Sequence, residues 1–512
     1  MKKQVVLGVM AALLASCSLA VASPLVTSNV PLDSRFYDYV EKLEGMGYIN
    51  DMPASTKPYS RLDMAKWLAN VNPSGMPDYL KVYYDEMVAD LAEEIAYVKG
   101  DSKGFKSNVK LRSASVEFSY VDADQTTYGY KGNNSDQRIN ASWQPLNKDN
   151  NGYRYGNHFN AVGKLNISGS LNKDLAVSLT PRFSYDKDNH GDASLVEGYA
   201  KTHLGVWGIE IGKQPLQWGG HGHNSAFVFS NNATPHTMLK LNLLEPHTFD
   251  NGFLSFLGKA NINAFFSKME GNRKEQAQGY YGNNAHKNES DSAKLIGVRV
   301  DVTPSNIFTF GLERVSMIKS FNKDWLFGDN AEQNDQWNDI GGADFRLKFP
   351  GMQVYGSAYG EDQAGGLPSE YAYSAGLYFP QLSADGSWDF RLEGAKTNQW
   401  WYHHWTFTNG WTYKNDIMGN AMGKDALQYT AVINHYMDNG DQLGLSFSTT
   451  DFDRHVVNNP EMQEFKINYA KKLKKNMYLD AMIGYAKIDN ANYERNKSNS
   501  TKMMGLGLRW EY

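Results

Sequence analysis

The sequence predicts an all-β transmembrane barrel preceded by a small α-helical module, and three observations predict it. Residues 1–22 read as an export signal; from about residue 106 apolar and polar residues alternate with a period of two; and the last alternating run closes on an aromatic residue, Tyr512. The composition agrees. Mean hydropathy is low, at −0.55, and beyond residue 25 no stretch approaches the ~18 uninterrupted apolar residues of a membrane helix. A helical membrane protein is thereby excluded. Tyr, Phe and Trp make up 13% of the 512 residues. These residues favour strands, and Tyr and Trp also favour the membrane–water interface.

The export signal has the usual three parts. Lys2 and Lys3 supply the positive end, Val5 to Ala15 the apolar core, and Ala20 and Ala22 frame an A-x-A cleavage site before Ser23. A second reading stands beside it: Leu14-Ala15-Ser16-Cys17 fits a lipobox, with Cys17 as the lipidated residue. Cys17 is the sole cysteine, so no disulfide is expected. Loss of Lys2 and Lys3 takes the formal charge from −5 to −7, which leaves no footprint for nucleic acid.

Residues 23–105 carry a helical period. Phe36, Val40, Leu43 and Met46 recur at helical spacing, Ser60 and Asp63 make a capping box for a second helix, and Pro77 suits the first turn of a third. The apolar stripe of that third helix is Leu80, Tyr84, Met87, Leu91, Ile95 and Val98.

Residues 106–512 form the predicted barrel. Val116, Phe118 and Tyr120 share one face, as do Leu165, Ile167 and Leu171, then Leu443, Leu445 and Phe447, then Leu479, Ile483 and Tyr485. Short turns such as Leu171–Asp174 and Lys471–Asn476 alternate with long polar loops such as Tyr130–Asn157 and Glu270–Ser292, the pattern of a membrane barrel. In the final run Met504, Leu506, Leu508, Trp510 and Tyr512 are predicted to face lipid. Roughly 405 residues at about 20–25 per strand and connection give about 16–20 strands.

Four blocks stand out along the predicted barrel. They are Gly212-Lys213-Gln214 with Trp218-Gly219, Ser230-Asn231-Asn232-Ala233 and Pro235; Ile296-Gly297-Val298-Arg299 with Gly311-Leu312-Glu313-Arg314; Gly342-Ala343-Asp344-Phe345-Arg346 with Gly360-Glu361-Asp362 and Ala364-Gly365-Gly366-Leu367-Pro368; and Glu393-Gly394-Ala395-Lys396-Thr397 with Gly410-Trp411-Thr412-Tyr413. In this order they resemble the Wzi family of outer-membrane capsule assembly proteins. The resemblance implies about 18 antiparallel strands, a helical bundle on the periplasmic side, and a lectin-like role on capsular polysaccharide at the outer membrane of a Gram-negative cell. The run Gly219–Asn224 departs from the family's usual WGPG-type sequence. Separately, Tyr37–Leu68 resembles an S-layer homology module, whose implied role is a tether to a cell-wall polymer.

Candidate glycan contacts are Trp218, Asn231, Asn232, Glu361, Asp362, Trp400, Trp401 and Tyr402. Sugar rings lay their C–H faces on aromatic faces, and carboxylates and amides hydrogen-bond hydroxyls. Each has a plainer alternative. The aromatic run around Trp400 also suits an interface girdle. Glu361 and Asp362 also suit lumen charges balanced by Arg299, Arg314, Arg346 or Arg391, and the two asparagines also suit turns. His221 and His223 form an H-x-H pair without an evident third metal ligand, and Ser225 lacks a nucleophile-elbow motif. The expectation is a non-enzymatic monomer without cofactor. Its expected partners are surface polysaccharide, outer-membrane lipid and lipopolysaccharide, and the barrel assembly machinery. A porin-like channel for small solutes is the alternative, and an open or filled lumen discriminates the two.

Overall fold

A computed structural model describes residues 25–511 except 51, 53–55, 102–106, 132–138, 189, 220, 223–225, 282–288, 322–335, 365–366 and 475. The predicted export signal and Cys17, and also His223, Ser225 and Tyr512, lie outside the described residues.

Eighteen strands form the wall: β1 (Lys110–Ala123), β2 (His158–Asn172), β3 (Leu175–Asp186), β4 (His190–Leu204), β5 (Trp207–Gln214), β6 (His236–Leu243), β7 (Lys259–Lys268), β8 (Lys294–Thr303), β9 (Phe308–Ile318), β10 (Trp337–Phe349), β11 (Met352–Ala364), β12 (Leu367–Phe379), β13 (Trp388–Thr397), β14 (Leu427–Tyr436), β15 (Gln442–Asp451), β16 (Glu461–Lys474), β17 (Met477–Asp489) and β18 (Ser498–Glu511). Each pairs antiparallel with its neighbours in sequence. The ring closes where β18 meets β1, from Ser113 opposite Glu511 to Ala123 opposite Thr501. Closure leaves no open edge, so every wall strand finds a backbone partner on both sides, as hydrocarbon requires.

The period-two pattern fixes which way each side chain points. Val116, Phe118 and Tyr120 of β1, Ile483 and Tyr485 of β17, and Met504, Leu506, Leu508 and Trp510 of β18 all lie exposed on the outer face, as the alternation predicts. Their neighbours turn inward, where burial is polar and charged. Arg299 on β8 binds Asp301, Glu313 and Asp344 at 2.8–2.9 Å. Arg391 on β13 pairs with Glu41 at 2.8 Å and Glu393 at 3.8 Å.

Both ends of the lumen are filled. At the short-turn end sit α1 (Phe36–Gly45), α2 (Arg61–Ala69), α3 (Asp78–Asp90) and α4 (Ala92–Val98). The predicted capping box is present at α2: Ser60 accepts from the Asp63 N–H, and the Asp63 carboxylate accepts from Ser60 N–H at 3.1 Å. The third predicted helix is two, broken at Leu91, and its buried face is Tyr79, Leu80, Tyr83 and Met87 rather than Tyr84. Tyr83 turns inward because it stacks on Tyr39 of α1 at 4.1 Å and meets Tyr436 of β14 edge-on. The module is bolted to the wall. Glu44 pairs with Lys348 at 2.8 Å and Arg346 at 3.0 Å, Arg35 with Asp480, and Glu86 with Lys472 at 2.5 Å. Residues 25–30 run inside the wall, where Asn29 N–H donates to the Tyr199 hydroxyl at 2.7 Å.

Candidate functional site

Among the described residues, those of four connections close the long-loop end: 124–157, 215–235, 269–293 and 398–426. The described residues of 215–235 dive into the lumen. There Gln217–Trp218 pairs antiparallel with Thr56–Lys57, a two-residue strand of the helical module. The caps from the two ends therefore meet inside the barrel. Trp218 is fully buried, with edge-on contacts to Phe229 at 6.5 Å and Phe265 at 5.1 Å.

Residues 398–426 lie over this plug. Trp401, Tyr402, Phe407 and Trp411 are all completely buried. Trp411 Nε1–H donates to Val228 O at 3.0 Å, and the Tyr402 hydroxyl donates to Phe227 O at 2.5 Å. Glu361, on the lumen face of β11, accepts from Tyr402 N–H at 2.5 Å and from Asn338 Nδ2 at 2.8 Å. Burial also holds the His404 imidazole neutral, its pKa pushed down to about 3 with lesser help from His403 and Lys319. Its Nδ1 accepts from Thr406 N–H at 3.1 Å.

The predicted contacts therefore separate into two groups. Trp218, Glu361, Trp401 and Tyr402 come together as the framework of the plug. Trp401, Tyr402 and Trp411 are thus no girdle on the barrel rim: the loop folds inward, where the same aromatic composition builds a core. Asn231 and Asn232 pin neighbouring loops. Asn231 Nδ2 donates to Asp149 O at 3.2 Å, Asn232 Nδ2 to Ile417 O at 2.9 Å, and their carbonyls accept from Asn151 and Gly152 N–H. Asp362 has its side chain outside the described residues. Trp400 is only half-buried; its ring lies 5.6 Å from His403, which meets the exposed Trp405 edge-on at 5.5 Å. Trp400 and Trp405 thus lie at the surface of the cap on either side of the buried His403 ring.

A narrow cleft at the same end is lined by Trp143, Asn147, Asn150, Tyr153, Arg154, Asn232 and Asp416. Its volume of about 20 Å³ admits a water- or hydroxyl-sized group. Trp143 Nε1 and the Tyr153 hydroxyl are buried there without a protein partner. Sequence reading singled out neither residue, because nothing in the long polar loop that carries them marks two positions from the rest. Trp405 stood in the aromatic run, but its exposure came only from the fold. His221 is buried beside Asp344, 3.4 Å away. Among the described residues no group of three or more His, Cys, Asp or Glu is placed to hold a metal ion.

Comparison with curated protein sequences finds no match. Among solved structures, the chain is similar to Wzi of Escherichia coli, described as an outer-membrane, carbohydrate-binding β-barrel involved in group 1 capsule assembly. The TM-score is 0.67 at 16% identity, over 96% of this chain and 100% of that one. It also bears a fainter likeness to the outer-membrane protein OprD of Pseudomonas aeruginosa, with a TM-score of 0.44 at 10% identity over 81% of this chain and 96% of that one. Residues 127–503 match the family described as capsule assembly protein Wzi. The match spans most of the chain, and the chain belongs to the Wzi family of capsule assembly proteins.

Proposed function

We propose that this protein holds capsular polysaccharide at the cell surface by non-enzymatic binding at the long-loop end of the barrel. In this reading the long loops face outward, the helical module faces the periplasm, and outer-membrane lipid and lipopolysaccharide surround the apolar band. The barrel assembly machinery inserts the chain, which works as a monomer.

The aromatic pair of Trp400 and Trp405, bridged by the buried His403 ring, carries the reading. Its members ride on a loop whose other aromatics are locked into the plug. The binding face is therefore preorganised, and little ordering entropy is lost when a polymer lands on it. The filled lumen supports a binding role over the porin-like alternative: a channel needs a continuous aqueous path, whereas Trp218, Phe227, Phe265, Tyr359 and Trp401 pack across this one. The test replaces Trp400 and Trp405 together by Ala and compares cell-bound with shed polysaccharide. Shedding is expected to rise to the level of a deletion strain. Unchanged retention by a normally assembled barrel defeats the reading.

A further inference from the structure

A second cavity lies at the opposite, short-turn end, between the helical module and strands β4 to β8. It holds about 670 Å³, well inside the ~300–1,000 Å³ range of small-molecule sites. Exposed Asn50, Asn70, Glu245 and Asn306 stand at its rim, so it opens toward the side on which the helices sit.

Its lining is rich in amides, and its charged side chains have partners within the protein, Asp63 in the capping box with Ser60 among them. Glu210 of β5 lies between Lys201 and Lys240, at 3.2 and 2.9 Å. Both lysines stand directly opposite it in register. Asp301 is held by Arg299, and Lys66 by Glu245 at 2.7 Å. What the walls offer a ligand is therefore neutral hydrogen bonding. Asn242 of β6 and Asn263 of β7 are cross-strand partners, with Cβ atoms about 5 Å apart. Asn242 uses its amide N–H on Leu243 O at 3.0 Å, and its Oδ1 is buried without a partner. Asn263 is 6% exposed, and its Nδ2 is likewise buried without a partner. Leaving such groups unmatched is unfavourable, and a ligand that meets them removes that cost. Gly208 on the next strand makes room for Asn242, since a Cβ there would come within 3.0 Å of its Oδ1. Trp67 of α2, edge-on to Tyr59 at 4.9 Å, lines the cavity as a half-buried aromatic wall, and the Tyr59 hydroxyl is a third unmatched polar group.

We infer that this cavity is a separate binding site for a neutral saccharide segment. One acceptor and one donor on opposed strands match a vicinal pair of sugar hydroxyls, and Trp67 offers an aromatic wall for a ring. The site is independent of the surface pair and stands or falls without it.

The test titrates the full chain in detergent micelles with three probes: maltotriose, N,N′,N″-triacetylchitotriose and trigalacturonate. Calorimetry reads affinity and amide exchange reads location. One neutral probe is expected to bind, with protection over residues 240–263 and α2. The plain and the acetamido sugar distinguish the two kinds of polymer that would supply the segment. The Asn242→Leu, Asn263→Leu double variant is expected to weaken binding at least tenfold. If the double variant fails to assemble, the exchange map of the unaltered protein decides. Absence of binding by both neutral probes, equal binding of trigalacturonate, protection confined to 398–426, or an unaltered affinity in an assembled double variant each overturns the inference.

Discussion

At Arg273 one guanidinium joins two of the long loops. It is fully buried, ion-paired to Glu289 at 3.1 Å and Glu270 at 3.2 Å, and donates to Thr412 O at 2.8 Å and Gly410 O at 3.2 Å. Arg273→Ala leaves Glu289 buried without its cation, a loss of about 3–5 kcal/mol. The expected outcome is rapid amide exchange across 398–426 in a barrel that still forms. Lys in its place restores little, because it lacks the planar fork that reaches two carbonyls and two carboxylates together. The second residue-scale prediction concerns pH. His404 has a folded-state pKa of about 3 against an ordinary 6.5. Between those values the unfolded loop binds a proton that the folded loop excludes. The stability of the cap is therefore kept above about pH 6.5 and falls as the pH drops toward 3. Protease sensitivity of the loop should rise over that window, and His404→Gln should flatten the rise. None of this was legible in the sequence. Trp401, Tyr402 and Trp411 have the composition of a membrane girdle, and only the inward turn of the loop makes them a core.

Among elements, β18 offers the cleanest test of what the alternation means. Leu506 sits near its middle on the outer face, opposite Ala481 and Phe118. Leu506→Arg should destabilise the barrel by about 2–4 kcal/mol, the cost of a cation near the bilayer midplane, measured as a lowered urea midpoint in lipid. Gly505→Ser is expected to be tolerated, because a Cβ at Gly505 meets nothing nearer than 3.9 Å. Strands of this kind were legible because lipid on one side and packed polar groups on the other impose a strict period of two. The helices were legible by their ends: Ser60 and Asp63 announce α2. The break at Leu91 between α3 and α4 was not, since neither Gly nor Pro marks it. Nor was the choice of Tyr83 over Tyr84, which depends on contacts with α1 and β14 far away in sequence.

For the molecule as a whole, two fillings, one from each end, occupy one lumen and meet inside it. The intact protein should therefore carry no steady current in planar bilayers. Removing residues 215–235 and 398–426 without touching the helical module, or the helical module alone, should leave conductance low, and only the removal of all three should open the barrel. Steady current through the intact chain would mean that the packing across the lumen does not persist in the membrane. The meeting of the two fillings at Thr56–Lys57 and Gln217–Trp218 also has a mechanical meaning. A long polymer anchored outside a cell is dragged by flow. In the proposed role, tension on residues 398–426 passes through the Tyr402 hydroxyl to Phe227, from the neighbouring Phe229 carbonyl to Trp218 N–H at 3.1 Å, and across that short strand pair to the helices. From there Glu44, Arg35 and Glu86 discharge it into the inner rim of the wall. The load is thus carried down the axis of the barrel and spread around its far end, so the surface loops alone do not have to bear it.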